Sequence, residues 1–121
     1  MSTPDGSNLT AKTLIGNAIK NNQGQSLGKV DDFMLDLEGG RVAYAVVNYG
    51  GVMGMGNKLL AVPWNAFELD TNDHTFILNI DREVLSSAEG FDKKNWPNAA
   101  DRDWGQRTHQ HYGTQPYWEE Q

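Results

Sequence analysis

Four groups of residues have the types that do chemistry in proteins. The first is the glycine-rich run Gly50-Gly51-Val52-Met53-Gly54-Met55-Gly56-Asn57-Lys58, since such loops present backbone N–H groups to phosphate. Its spacing fails: a Walker loop opening at Gly51 needs Lys where Asn57 stands and Ser or Thr where Lys58 stands, and a dinucleotide fingerprint opening at Gly54 needs glycine where Leu59 stands. The run reads instead as a connection between strands, with Val52, Met53 and Met55 as an adaptable apolar tip suited to a protein partner. The second group is acidic, Asp31, Asp32, Asp36 and Glu38, the residue type of a hard-cation site or an acid/base pair. Carboxylates four residues apart on an extended strand stand about 13 Å apart at ~3.3 Å per residue, too far to share one ion, so this group reads as a solvated face. Third is His109-x-His111, which on a strand would share a face and could take Zn²⁺ or Ni²⁺ with Glu119 or Glu120. On a helix the two rings point about 200° apart, and no third ligand stands at a familiar spacing, so metal is a weak reading. Serines are present without a Gly-x-Ser-x-Gly elbow, and the chain has no cysteine. No enzyme signature results, and no cofactor is expected.

The fourth group is aromatic: Phe91, Trp96, Trp104, Tyr112, Tyr117 and Trp118 all fall in the last third of the chain. Such residues either stack on single-stranded nucleic acid or pack against protein. Charge favours packing. From residue 81 onward five basic residues (Arg82, Lys93, Lys94, Arg102, Arg107) face eight acidic ones, a net of -3, the wrong sign for tracking a phosphate backbone. The whole chain, with 10 basic and 16 acidic residues and a net charge of -6, likewise disfavours nucleic acid and anionic lipid as partners. Large rigid aromatics supply much of the contact energy of protein interfaces. Trp64, Trp96, Trp104, Tyr117 and Trp118 therefore join Val52, Met53 and Met55 as candidate partner-binding residues.

The elements that must position these groups follow from length and patterning. The 121 residues suffice for one domain with a modest core. No apolar run approaches the ~20 residues of a membrane span, and Met1 to Ser7 lack the basic and apolar regions of a secretory signal, so direct membrane insertion is not expected and the default location is the cytoplasm. Residues 1–8 read as a disordered leader. Between Leu9 and about Ile80, short apolar runs alternate with Gly, Asn and Asp clusters, the pattern of a small antiparallel barrel or sandwich. Strands are predicted at Asn17–Lys20, Gly28–Leu37, Arg41–Tyr49, Lys58–Pro63, Phe67–Leu69 and Thr75–Ile80, with hairpin turns at Asn21–Gly24, Glu38–Gly40 and Thr71–His74.

Alternation in the second strand sets Asp31, Phe33, Leu35 and Leu37 on an apolar face and Val30, Asp32, Met34 and Asp36 on a mainly carboxylate face. The third strand is apolar on both faces, Ala43, Ala45 and Val47 against Val42, Tyr44 and Val46, so a further layer must cover its outer side. Either the C-terminal tail or a second copy is expected there, and a tail exchanged between copies would make a two-fold homodimer. Asp81 reads as the cap of a short helix that Gly90 ends.

Leu14-Ile15-Gly16, Gly28-Lys29-Val30-x-Asp32, Asp36, Gly40-Arg41-Val42-Ala43-Tyr44-x-Val46-Val47, Gly50-Gly51 and Leu60-Ala61-Val62-Pro63-Trp64 stand in an order and spacing that resembles the PRC-barrel family. The resemblance runs over roughly residues 9–82. It implies a small β-barrel of about six strands, closed or partly open, with residues 83–121 as a helix and aromatic extension packing on the barrel or on a second subunit. The family's barrel occurs in the photosynthetic reaction-centre H subunit, in a ribosome maturation factor and in stand-alone proteins, and this chain looks like the stand-alone kind. On this reading neither the membrane helix of the reaction-centre subunit nor the RNA-processing domain of the ribosome factor is expected before the barrel. The implied role is docking to an unknown protein partner with no catalytic residues; a ribosome-associated or RNA-processing accessory is the alternative.

Overall fold

A computed structural model describes residues 10–50, 57–70, 72–73, 75–92 and 94–119. The leader, the tip residues Val52, Met53 and Met55, and Thr71, His74 and Glu120 lie outside the described residues. A one-turn helix, α1 (Ala11–Leu14), capped by the Thr10 hydroxyl, leads into β1 (Ala18–Lys20). There follow β2 (Ser26–Asp36), β3 (Arg41–Gly50), β4 (Asn57–Pro63), β5 (Phe67–Asp70) and β6 (Thr75–Leu78). All six predicted strands are present, with ends that differ by no more than two residues.

The strands form one sheet in the order β4-β3-β2-β1-β6-β5. Every pair is antiparallel except β1 and β6, which run parallel. The expected wholly antiparallel barrel is corrected in that one ladder. The first and last strands of the sheet sequence arrive side by side from different hairpins, and no turn dictates their direction. Between β4 and β5, which lie at opposite edges, the only connection is a 3₁₀ turn, Trp64–Ala66. Four residue steps reach at most ~14 Å, so the sheet must curl until its edges approach. The result is a mixed, partly open barrel.

Turn chemistry holds the hairpins. Asn21, almost fully buried, accepts backbone hydrogen bonds from Gln23 and Gln25 at 3.0 Å each, and Gly24 takes φ +80°. At the β2–β3 turn Gly40 takes φ +64° and Arg41 pairs with Asp36 at 3.0 Å. Inside the curl Ile19, Leu27, Val30, Val47, Leu60, Val62, Phe76 and Leu78 form the core, with Phe33, Trp64 and Phe67 ringed around Phe76 at centroid distances of 5.7–6.4 Å.

β2 departs from simple alternation. Its pairing to β3 slips between Val30 and Asp32, where Asp31 is the extra residue, and again between Met34 and Leu35. The bulge brings Val30 and Phe33, which alternation assigns to opposite faces, to the same core. Leu35 and Leu37, expected on the apolar face, are 60% and 84% exposed. β2 is also interior to the sheet, so its carboxylates do not protect an edge.

After the barrel comes α2 (Arg82–Ser86), whose Leu85 is fully buried in the core. Asp81 sits at its N-cap but its side chain makes no capping hydrogen bond, and the helix ends at Ser87, before Gly90. Phe91 then exchanges two backbone hydrogen bonds with Leu59, 2.9 and 3.2 Å, along the free edge of β4. The tail next forms α3 (Arg102–His111), which no prediction anticipated. Its signals were present. Asp101 caps the Asp103 N–H at 2.9 Å, and Gly113 at φ +70° closes the end while the Thr114 N–H bonds the His109 carbonyl at 3.0 Å. A second 3₁₀ turn, Tyr117–Glu119, ends the described chain.

Candidate docking surface on the outer face of the barrel

Tyr44 stands near the middle of β3 with its ring directed outward, opposite Pro63 of β4, and is fully buried. The tail buries it. Its ring meets Trp104 at 5.1 Å, His109 at 5.4 Å and Tyr117 at 5.8 Å between centroids, the first and last edge-to-face. Ala43 and Ala61 are small enough for this layer to sit close to the strands, and Met34, Phe91 and Ala99 fill its margin.

Gly105, in the interior of α3, is there for space. A Cβ at that position would stand 2.8–2.9 Å from the Trp118 ring and 2.9 Å from the Tyr44 hydroxyl. Glycine inside a helix costs about 1 kcal/mol relative to alanine, so the seat it makes for Trp118 has a thermodynamic cost. One turn on, fully buried His109 sets Nδ1 2.8 Å from the Gly105 carbonyl and Nε2 3.3 Å from the Tyr117 N–H. Two guanidinium groups close the outside: Arg41 stacks 4.8 Å from the Tyr117 centroid and Arg102 4.4 Å from that of Trp118.

The electrostatics follow the burial. The Tyr44 and Tyr112 hydroxyls are pushed well above the ordinary 10.0 by desolvation, and Tyr117 is raised for the same reason. Among the described residues the hydroxyls of Tyr44 and Tyr112 are buried without a hydrogen-bond partner. The Gly39 N–H, and after it the Arg41 guanidinium, hold the Asp36 carboxyl below the ordinary 3.8.

Of the candidate partner-binding residues, Trp104, Tyr117 and Trp118 come together over Tyr44 and His109 and are half-buried there. Trp64 is elsewhere, half-buried at one end of the barrel against Phe33 at 5.9 Å and Phe76 at 6.0 Å. Trp96 stands apart as well, its ring tilted against Phe91 at 5.0 Å and 41% exposed. Beside it a cleft of about 310 Å³ is lined by Phe91, Asn95, Pro97 and Trp104, among others; a second of about 220 Å³ adjoins it across Trp104 and Arg107.

The histidine pair does not converge: both ring nitrogens of His109 face backbone groups, while His111 directs Nε2 to the Val84 carbonyl at 2.7 Å. Asp32 accepts from the Phe33 N–H and Asp36 is taken by Arg41. Among the described residues no group of three or more His, Asp or Glu side chains is placed to hold a metal ion. Sequence reasoning missed Arg41, Arg102 and Gly105. A glycine directly after Trp104 and one turn before His109, behind the capping residue Asp101, was the available signal for the last.

A half-barrel with one parallel ladder and apolar covering on its outer side defines a small β-barrel class of domain. The PRC-barrel domain model matches residues 7–85, and the chain belongs to that family. Trp96, α3 and the Tyr117–Glu119 turn all lie beyond the matched stretch. No curated protein matches the chain. Of solved structures, 29 chains match. One is RimM of Pseudomonas aeruginosa, a protein assigned to 16S ribosomal RNA processing, at 15% identity and TM-score 0.45 over 62% of this chain and 45% of that one. The chain thus aligns with less than half of RimM. No helix among the described residues is long and apolar enough to cross a membrane.

Proposed function

We propose that this PRC-barrel chain is a non-enzymatic docking module of the cytoplasm that binds a protein partner through the tail side of the barrel. The observation that carries this reading is Trp96, a large aromatic left 41% exposed on a fixed Phe91 ring beside an open cleft. Exposed rigid aromatics next to a concavity are what interface hot spots are made of. Trp104, Tyr117 and Trp118, half-buried on the neighbouring outer face, frame that surface and are the second part of the proposed contact. A homodimer formed by exchange of the tail belongs to the same reading, since exchange would keep these contacts; sedimentation that returns a monomer at every concentration refutes that part.

The test is a crosslinked pull-down with the full chain and its Trp96→Ala variant, each split into RNase-treated and untreated halves. A set of proteins that resists RNase and is lost with Trp96→Ala supports the docking module. Ribosomal proteins that vanish with RNase point to the ribosome-associated accessory instead. Identical captures by both chains refute the assignment of Trp96.

A further inference from the structure

We propose that the outer edge of β4 at Ala61 receives the carboxy-terminal end of a partner protein, with Arg107 as the group that takes its carboxylate. Leu59 gives both its N–H and its C=O to Phe91, away from β3. The β3–β4 register is unbroken from Tyr44–Pro63 to Gly50–Asn57, and in an antiparallel ladder every second residue turns the same way. The N–H and C=O of Ala61 therefore point off the same edge. Ala61 is 5% exposed, and among the described residues neither group has a hydrogen-bond partner in the tail. Buried backbone groups are almost always paired, so this pair calls for an occupant.

The tail leaves that position open. Antiparallel pairing continued from Phe91 would bring Glu89 opposite Ala61, but Ser87 and Ala88 bond back to Glu83 and Leu85 as α2 ends, and no strand forms there. In its place lies the cleft of about 220 Å³, with Ala61, Ala88, Trp104 and Tyr112 among its walls. Ser87 Oγ, His111 Nε2 and Thr108 Oγ1, from the same lining, are already bonded to backbone carbonyls at 3.3, 2.7 and 2.9 Å. Arg107 and Glu89 are different. The one ion pair among the described residues is Arg41–Asp36, so these two line the cleft without a countercharge.

The site selects the end of a chain. Phe91 occupies the edge at Leu59, on one side of Ala61, and Pro63, on the other, has no N–H to offer. Pairing is thus open over a single residue, and the cleft is smaller than the ~300–1,000 Å³ of ordinary ligand pockets. A strand running through would collide with Phe91; a chain end does not. Arg107 makes it the carboxyl end. Trp104, Arg107, Thr108 and His111 share one face of α3, so a helix sets a planar guanidinium over the cleft that holds the free backbone pair, and such a group grips a carboxylate with two hydrogen bonds. Glu89 and Asp101 line the adjoining cleft of about 310 Å³ and match a basic residue upstream of that end. The receptor stands on this edge geometry; that a partner protein supplies the chain end rests on the proposed function.

The test uses the ¹⁵N-labelled full chain and a pool of acetylated tetrapeptides, randomised at every position, in two forms: free carboxylate and carboxamide. Backbone and carboxylate carry the recognition, so the partner's sequence is not needed. The expected result is that the carboxylate pool shifts the Ala61 amide and the Arg107 Nε signal, and that the carboxamide pool binds at least about tenfold more weakly. Arg107→Gln should erase that difference, and because Arg107 is exposed the variant keeps the fold; Arg107→Lys should restore part of it. Equal binding of the two pools, no shift at Ala61 with either, or an unaltered preference in Arg107→Gln overturns the receptor. Trp96→Ala separates the two readings, since it should keep the carboxylate preference. Identical protein captures by the wild type and Trp96→Ala count against the docking surface alone, and equal binding of the pools counts against the receptor alone.

Discussion

Replacing Tyr44 by phenylalanine should make this protein more stable, against the usual direction of a buried substitution. The Tyr44 hydroxyl is buried and has no hydrogen-bond partner among the described residues, so the fold bears its desolvation without recovering a bond. Such a group costs about 1–3 kcal/mol. Removing the oxygen leaves a void of roughly 15 Å³, which at about 24 cal/mol per Å³ returns about 0.4 kcal/mol of loss. The phenyl ring keeps its edge-to-face contacts with Trp104 and Tyr117. The net expectation is about 1–2 kcal/mol of added stability, or a Tm higher by about 3–10 °C for a chain of this size. Urea unfolding with an unchanged m-value measures it, and Tyr44→Ala, which deletes the ring contacts as well, should lose about 3–5 kcal/mol in the same assay. A Tyr44→Phe protein destabilised by 1 kcal/mol or more refutes the reasoning, because its hydroxyl would then have a partner.

Gly105→Ala should destabilise by about 1–2 kcal/mol despite the better helix propensity of alanine, since overpacking against Trp118 and Tyr44 outweighs it; urea unfolding measures it, and a variant as stable as the parent refutes the packing role of this glycine. In alkali, stability should decline from pH 10.0 upward: the folded state holds the Tyr44 and Tyr112 protons beyond the pH at which the unfolded chain loses them, so it binds more protons there and the stability fully present below pH 10.0 is lost as pH rises. A Tyr44→Phe, Tyr112→Phe double variant should flatten that decline in alkaline chemical-denaturation curves, and an unchanged slope counts against it. Truncation after Ala88 bares Tyr44, Ala43 and Ala61 and removes the strand-edge pairing at Leu59, so the shortened barrel should associate or lose solubility. A fully soluble monomer at the same concentration, read by light scattering, refutes a covering role for the tail.

Local grammar made most of the barrel legible. Gly24 and Gly40 mark their hairpins, Pro63 ends β4, and the two-faced apolar run of β3 requires a layer on each side. What misled was periodicity read without a partner strand. Leu35 and Leu37 look buried beside Phe33, but the pairing to β3 slips again between Met34 and Leu35 and the strand ends at Asp36, before Leu37, and a register slip exists only in a pairing. Helix α3 was missed for another reason: Gly105, His109 and Tyr112 do recur at helical spacing, but glycine, histidine and aspartate weaken the propensity that usually announces a helix. Within the candidate surface Trp104, Tyr117 and Trp118 were named from residue type alone, whereas their convergence on Tyr44 joins positions 60 to 74 residues apart.

By itself, the sequence determined the strands, their turns and the family, because these depend on side-chain alternation and on backbone angles that neighbouring residues impose. Tertiary structure alone decided the parallel β1–β6 ladder, the exposure of Leu35 and Leu37, and the burial of His109 between the Gly105 carbonyl and the Tyr117 N–H. Each depends on which backbone group of a distant segment stands opposite, and a chain carries no local record of that.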